Sequence, residues 1–250
     1  MKDTSVRNDL LRNYKDYYND PSNPEGDAYW RQIGAIPKVD NIIALCSPYP
    51  HRSIIEIGVG EGSVLQRLAE QNFAEELYAV DISESGIEKV KARQIRSLKE
   101  CSVYDGYHIP YSDNQFDIAI LTHVIEHLEN PRQLIYEASR VARYLFVEVP
   151  LEHTASLPTD FVFNRVGHIN DYTPSTIRRL LQTCNLEVLN QVVTNHSKEV
   201  HLHPEGKSSL FKYEIKKYFL KLLPKIAVNL FTYNSALICQ KSATCDEIHV

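Results

Sequence analysis

Midway along a 250-residue chain, His123-Val-Ile-Glu126-His127 brings two imidazoles and a carboxylate into one short string. Written H-x-x-E-H, it is a signature of one class of zinc peptidases. Imidazole and carboxylate are ligands for zinc, iron or nickel, and an imidazole without a metal can accept a proton near neutral pH. In a helix the three residues stand at i, i+3 and i+4 and share one face. A second set lies upstream. Glu56-Ile-Gly58-Val-Gly60-Glu-Gly62 places glycines where backbone can turn tightly and approach a ligand. Asp81 follows as an acid able to accept from both hydroxyls of a ribose. Which chemistry these groups perform depends on the elements that carry them.

From residue 53 onward short apolar runs alternate with amphipathic stretches. The pattern predicts strands at 53–57, 77–80, near 101–104, 116–121 and 144–149, with helices at 62–72, 84–96 and 131–141 between them. Such alternation gives a parallel sheet with helices on both faces. A helix over 174–184, a strand at 186–194, a helical insertion at 205–231 and a last strand at 232–240 complete the domain. Ile33, Ile36, Val39, Ile42, Ile43 and Cys46 fall on one face of a helix over 31–46. Residues 1–46 therefore read as an N-terminal cap or lid, 47–241 as the main domain and 242–250 as a tail.

The glycine turn sits at the first crossover of this sheet, where cofactors bind beyond the strand ends. Its spacing is G-x-G-x-G, not the G-x-G-x-x-G of dinucleotide sites. A glutamate leading the turn suits a cofactor with a cationic amino group and no pyrophosphate. S-adenosylmethionine fits that description.

The segments IIEIGVGEGS, YAVDIS, VYDGYHIPYSDNQFDIAIL, HVIEHLENPRQL and GHINDYTPSTIRRLL occur in order. Together they resemble the motifs of class I S-adenosylmethionine-dependent methyltransferases over roughly residues 50–195. The resemblance implies a Rossmann-like α/β fold: a seven-stranded, mostly parallel sheet whose last strand is antiparallel. It also implies that Glu56, Gly58 and Gly60 line the methionine portion of the donor, Asp81 binds its ribose and Ile82 packs on its adenine. Asp105, with Gly106, would accept from the adenine amino group, and Thr122 and His123 would lie beside the reacting methyl.

In this context HVIEH follows the fourth strand, in the crevice where donor and acceptor meet, and the peptidase reading falls away. His168, in GHINDYTP, could fold over the same crevice. The arrangement is similar to ubiquinone-biosynthesis and small-RNA 2′-O-methyltransferases, which carry E-x-x-E-H and a later histidine that bind a metal. Here His123 stands where those have glutamate. A set of His123, Glu126, His127 and His168 would favour a softer divalent or iron-type metal than magnesium. With no metal, His123, His127 and His168 remain candidate proton-handling groups, and the alternative is an ordinary packing feature at a helix start. Glu152 is a substitute ligand, while His153, His196, His201 and His203 read as loop residues. Asp105 could equally be a turn residue, and Asp117 is expected to shape the start of its strand.

Composition narrows the rest. A net charge of −5 gives no general reason to expect nucleic acid. Five scattered cysteines, without C-x-x-C, read as reduced thiols in a cytoplasmic protein. Tyr14, Tyr17, Tyr18, Tyr29, Trp30 and Arg31 could close over a small-molecule acceptor, or the segment could simply pack as a helix on the sheet. Six lysines interleave with apolar residues in the insertion, with Pro224 expected to divide it. That stretch suits a lid, a dimer contact or a membrane surface. The expected activity is O-methylation of a small hydroxylated metabolite, metal-assisted where the cluster holds an ion. N-methylation of a small amine or amino sugar, and a non-catalytic adenosyl-binding scaffold, are the alternatives.

Overall fold

The computed structural model describes residue 18 and residues 28–155, 157, 167–205 and 209–242. Tyr14 and Tyr17 of the expected cap, and residues 243–250 of the expected tail, lie outside these. Helix α1 (Ala28–Cys46) leads into β1 (Ser53–Ile57), α2 (Ser63–Glu70), β2 (Glu76–Asp81), α3 (Glu84–Ala92) and β3 (Leu98–Val103). Then come β4 (Phe116–Thr122), a single 3-10 turn (Ile125–His127), α4 (Pro131–Val141) and β5 (Ala142–Leu151). The remaining elements are α5 (Pro174–Gln182), β6 (Leu186–Thr194), α6 (Lys198–Glu205), α7 (Ser209–Leu222), α8 (Pro224–Leu230) and β7 (Tyr233–Lys241).

The seven strands form one sheet in the order β3-β2-β1-β4-β5-β7-β6. Strands β1 to β5 pair in parallel, and β7 runs antiparallel to both β5 and β6. Period-2 alternation sorts side chains to the two faces. Ile54, Ile118, Ile120 and Phe146 pack with Val39 and Ile42 of α1 and Leu65 and Leu68 of α2. Ile55, Ile57, Leu121 and Val147 pack on the other face with Leu134, Ile135, Ile177 and Ala227. Burying each such side chain stabilises the fold by about 1.5–3 kcal/mol. Because both faces are covered, the central strands read as unbroken apolar runs. Proline starts α4, α5 and α8, where its missing N–H costs nothing. Pro224 does divide α7 from α8.

Asp117 behaves as expected, its Oδ2 accepting from the Ser53 backbone N–H at 3.0 Å and so clamping β1 to β4. The four described cysteines (Cys46, Cys101, Cys184, Cys239) are free thiols. No described helix is long and apolar enough to cross a membrane. The C-terminal ends of β1, β2, β4 and β5 meet along one edge, at the switch in strand order between β1 and β4 where ligands of such sheets bind.

Candidate active site

Gly58, Gly60 and Gly62 have φ of +76°, +57° and +84°, the left-handed region that side-chain-bearing residues avoid. A Cβ on Gly58 would come within 2.6 Å of Val124 Cγ2, and one on Gly60 within 2.7 Å of the Tyr18 hydroxyl. The turn is tied down from β2. Gly58 and Val59 donate to the carbonyl of Val80 at 2.8 and 3.2 Å. Gly60 N–H donates to Asp81 Oδ2 at 2.7 Å, and Ser83 N–H to Oδ1 at 2.8 Å. Glu61, buried behind the turn, pairs with Arg31 of α1 and with Arg93, each at 3.0 Å. Thus α1 is joined to the glycine turn as well as packed on the sheet.

Above the turn lies a cavity of about 300 Å³. Of the residues expected to hold the donor, Glu56, Gly58, Gly60, Asp81, Ile82, Gly106 and Thr122 all line it. Asp105 does not: its Oδ1 accepts from the N–H groups of Tyr107 and His108 at 2.9 and 2.6 Å. It shapes the turn that presents Gly106, as the alternative reading had it. Burial raises the Glu56 carboxyl to about 8, with Lys38 opposing, and one of its oxygens has no partner among the described residues. Burial also raises Asp81, to about 6, against the hydrogen bonds from Ser83 and Gly60.

The HVIEH segment corrects an expectation. It is one 3-10 turn, not the start of an α-helix, and His123 precedes that turn with φ +56°. The His123 N–H donates to the carbonyl of Glu148 at 2.9 Å, which fixes this backbone against β5. Its ring is thereby turned toward Glu148, with Nε2 3.4 Å from Oε1, while Nδ1 is 3.7 Å from Glu126 Oε1. The potential ligand atoms of Glu126, His127 and His168 all lie within 4.8 Å of one another. His123 stands outside this group.

Backbone contacts bring the distant histidine in. Ile169 and Asn170 donate to the carbonyl of Glu126 at 2.9 and 3.0 Å, and Asn170 Nδ2 reaches Leu128 O at 2.7 Å. His168 Nδ1 meets Glu152 Oε2 at 2.6 Å and its Nε2 lies 4.0 Å from Glu126 Oε1. His127 Nδ1 meets Gly167 O at 3.3 Å. These outer contacts are the kind that orient metal-binding imidazoles, and they make Glu152 a supporting partner in place of a substitute ligand. Both Glu126 oxygens are buried without a hydrogen bond among the described residues. A carboxylate so placed, beside two oriented imidazoles, fits a borderline divalent ion. Burial otherwise raises Glu126 to about 7 and lowers His127 to about 3. It also holds His123 well below the usual imidazole range, with Lys38 adding to the effect.

Sequence reasoning missed several lining groups. Lys38 enters from α1, Asn234 from β7, and His196 from the loop after β6. Glu148, under His123, accepts from Asn41 Nδ2 at 2.7 Å, and burial raises it to about 7. A lone acid inside the apolar run YLFVEVP was the available signal for it. His201 and His203 are not loop residues but lie on α6. The His203 ring lies tilted against those of Tyr29 and Trp30, with ring centroids 5.3 and 5.7 Å away. His153, in a loop, pairs with Asp171.

Residues 55–144 match a methyltransferase domain family. A probable S-adenosylmethionine-dependent methyltransferase of Mycolicibacterium smegmatis is 28% identical over 141 residues, covering 55% of this chain and 52% of that protein. The chain spans about half the length of the curated relatives it matches. Among solved structures, a Thermotoga maritima methyltransferase described as a possible histamine N-methyltransferase superposes with a TM-score of 0.62 at 15% identity, covering 93% of this chain and all of that one. The [4+2]-cyclase SpnF superposes at 0.59 and 17% identity, over 82% and 81% of the two chains. The same architecture therefore carries different reactions, and the fold alone does not name one. The match over residues 55–144, the strand order and the glycine turn agree in likening this part of the chain to the class I S-adenosylmethionine-dependent methyltransferases.

Proposed function

We propose that the protein transfers a methyl group from S-adenosylmethionine to an oxygen of a small hydroxylated metabolite, with Glu126, His127 and His168 holding a divalent metal beside the acceptor. One observation carries this reading: the glycine-turn residues border one cavity with His127 and His168, the two imidazoles clustered with the buried Glu126. The bound donor supplies a methyl already made electrophilic by its sulfonium. The chain's task is then alignment, which can account for most of the acceleration. Glu56 would face the donor's amino group, and an ammonium there would favour its ionised form. Asp81 would exchange part of its backbone bonding for the ribose. A metal on the three-residue cluster would make the acceptor hydroxyl more acidic. His123, backed by Glu148, would accept that proton.

Elemental analysis of protein purified without chelating resin, followed by activity before and after chelation, tests the metal. Stoichiometric metal is expected, lost with activity in Glu126→Gln and His168→Ala while donor binding by calorimetry persists. Metal-free, fully active enzyme would refute metal assistance. Methylation of a small amine is the alternative acceptor chemistry, since a neutral His123 could equally receive an ammonium proton. Mass spectrometry of the labelled product separates the two. Binding of S-adenosylmethionine without transfer to any acceptor would leave only the scaffold reading.

A further inference from the structure

A second cavity, of about 290 Å³, adjoins the first, and His196 and Val200 line both. Its wall is built from α6, α7, the turn after β5 and the residues that follow α8. Lys216, Lys212, His201, Ser209, Thr154 and Thr232 supply its polar groups. No aspartate or glutamate is among the described residues that line it. Lys216 is 5% exposed. Its ammonium lies 5.1 Å from the Tyr233 ring centroid, and its backbone carbonyl is fixed by a 2.7 Å bond from the Tyr233 hydroxyl. Lysine is almost never this buried without a paired anion. Here no carboxylate among the described residues reaches it. Burial and the neighbouring Lys212 hold its ammonium down to about 8, and an anion in the cavity would raise it again.

The donor set defines that anion. Two lysines, two imidazoles and the hydroxyls of Thr154 and Thr232 approach from several elements, while the Ser209 hydroxyl donates to the His201 carbonyl, and no arginine offers the planar fork that matches a carboxylate. Lysine point charges and rotatable hydroxyls suit a compact tetrahedral group of more than one charge.

We propose that this annex binds a phosphate monoester, with Lys216 as its buried cation, and that the phosphate belongs to the methyl acceptor, whose reactive end passes His196 into the donor cavity. The second half of this proposal rests on the methyltransferase reading above. The first half does not. The phosphate could come from a soluble phosphorylated metabolite or from a lipid headgroup, because α7 and α8, which supply part of the annex wall, also carry exposed Phe211, Tyr218, Leu222, Leu223, Ile226 and Leu230.

Calorimetry with inorganic phosphate and with glycerol phosphate, on wild type, Lys216→Met and Lys212→Ser, tests the site. Wild type should bind both. Lys216→Met should weaken binding about tenfold or more, the usual effect of losing one charge-assisted contact. Lys212→Ser, at the exposed mouth, should weaken it several-fold without threatening the core. Unchanged S-adenosylmethionine binding on the same samples checks folding and reports separately on the donor cavity. Flotation with phosphatidylcholine vesicles, with and without phosphatidic acid, distinguishes the sources. Binding to phosphatidic acid that Lys216→Met abolishes identifies a lipid phosphate, and binding to glycerol phosphate alone identifies a soluble one. Equal phosphate affinity in wild type and Lys216→Met, or none in wild type, overturns the proposal. Phosphate binding without donor binding would instead overturn the methyltransferase reading and leave the annex standing.

Discussion

Gly58 shows how little room a single position leaves. Its φ is left-handed and any side chain would strike Val124. Gly58→Ala should cost about 1–3 kcal/mol from backbone strain, and the displaced Val124 would shift the start of HVIEH. Urea unfolding and donor titration should both register the change. A Val124→Ala partner should recover part of the contact but not the strained φ. The glycines were legible in the sequence because their need is local. His123 was not legible in the same way. Its spacing from Glu126 and His127 is helical only if the backbone is, and the left-handed turn that points it at Glu148 follows from a bond to a strand far along the chain. Spacing therefore brought together Glu126 and His127, the resemblance added His168, and His123, the third residue of the string, stands apart from that group.

At the scale of elements, the loop after β3 carries Gly106 to the cavity and is held from outside by Arg140 of α4. Its guanidinium donates to the carbonyls of Ile109 and Tyr111 at 2.9 and 2.8 Å. It also pairs with Glu137, whose Oε2 accepts from Ile109 N–H at 3.1 Å. Arg140→Met should lower stability by about 1–3 kcal/mol and weaken S-adenosylmethionine binding, although residue 140 does not line the donor cavity. Calorimetry of the variant measures both; an unaltered donor affinity would show the loop to be held by other means. Strands β1 and β6 could be read from sequence to the residue, since buried parallel strands and turn-flanked runs leave sharp patterns. The Asn41–Glu148 bond spans 107 positions and leaves no local trace. The annex is equally silent in sequence. Lys216 looks like any other lysine of a basic helix until α7 is packed against β7.

For the whole molecule, buried acids and buried imidazoles pull stability in opposite directions with pH. His127 and His196 are held neutral by burial, to about 3 against an ordinary 6.5, so their share of stability rises as pH climbs toward 6.5. Glu56 is raised from 4.5 to about 8, so the folded state keeps its proton longer and stability falls as pH passes through that range. Above pH 6.5 these histidines are neutral in both states, and the acids decide until about pH 8, where the folded state begins to lose the Lys216 proton. The ligand-free protein should therefore lose thermal stability between pH 6.5 and 8, and Glu56→Gln should flatten that decline. A melting series on both proteins checks it; parallel slopes would assign the decline to other groups, Glu148 first among them. The strand order has a further bearing, on synthesis. The ribosome releases β6 before β7, yet β7 must lie between β6 and β5. Until it arrives, β5 is an open edge and β6, with α6 and α7, has no strand to dock on. The donor half can thus assemble early during translation, whereas the wall that includes Lys216, Asn234 and Thr232 closes only when β7 slides home, which makes the nascent β5 edge the place where a chaperone is most needed.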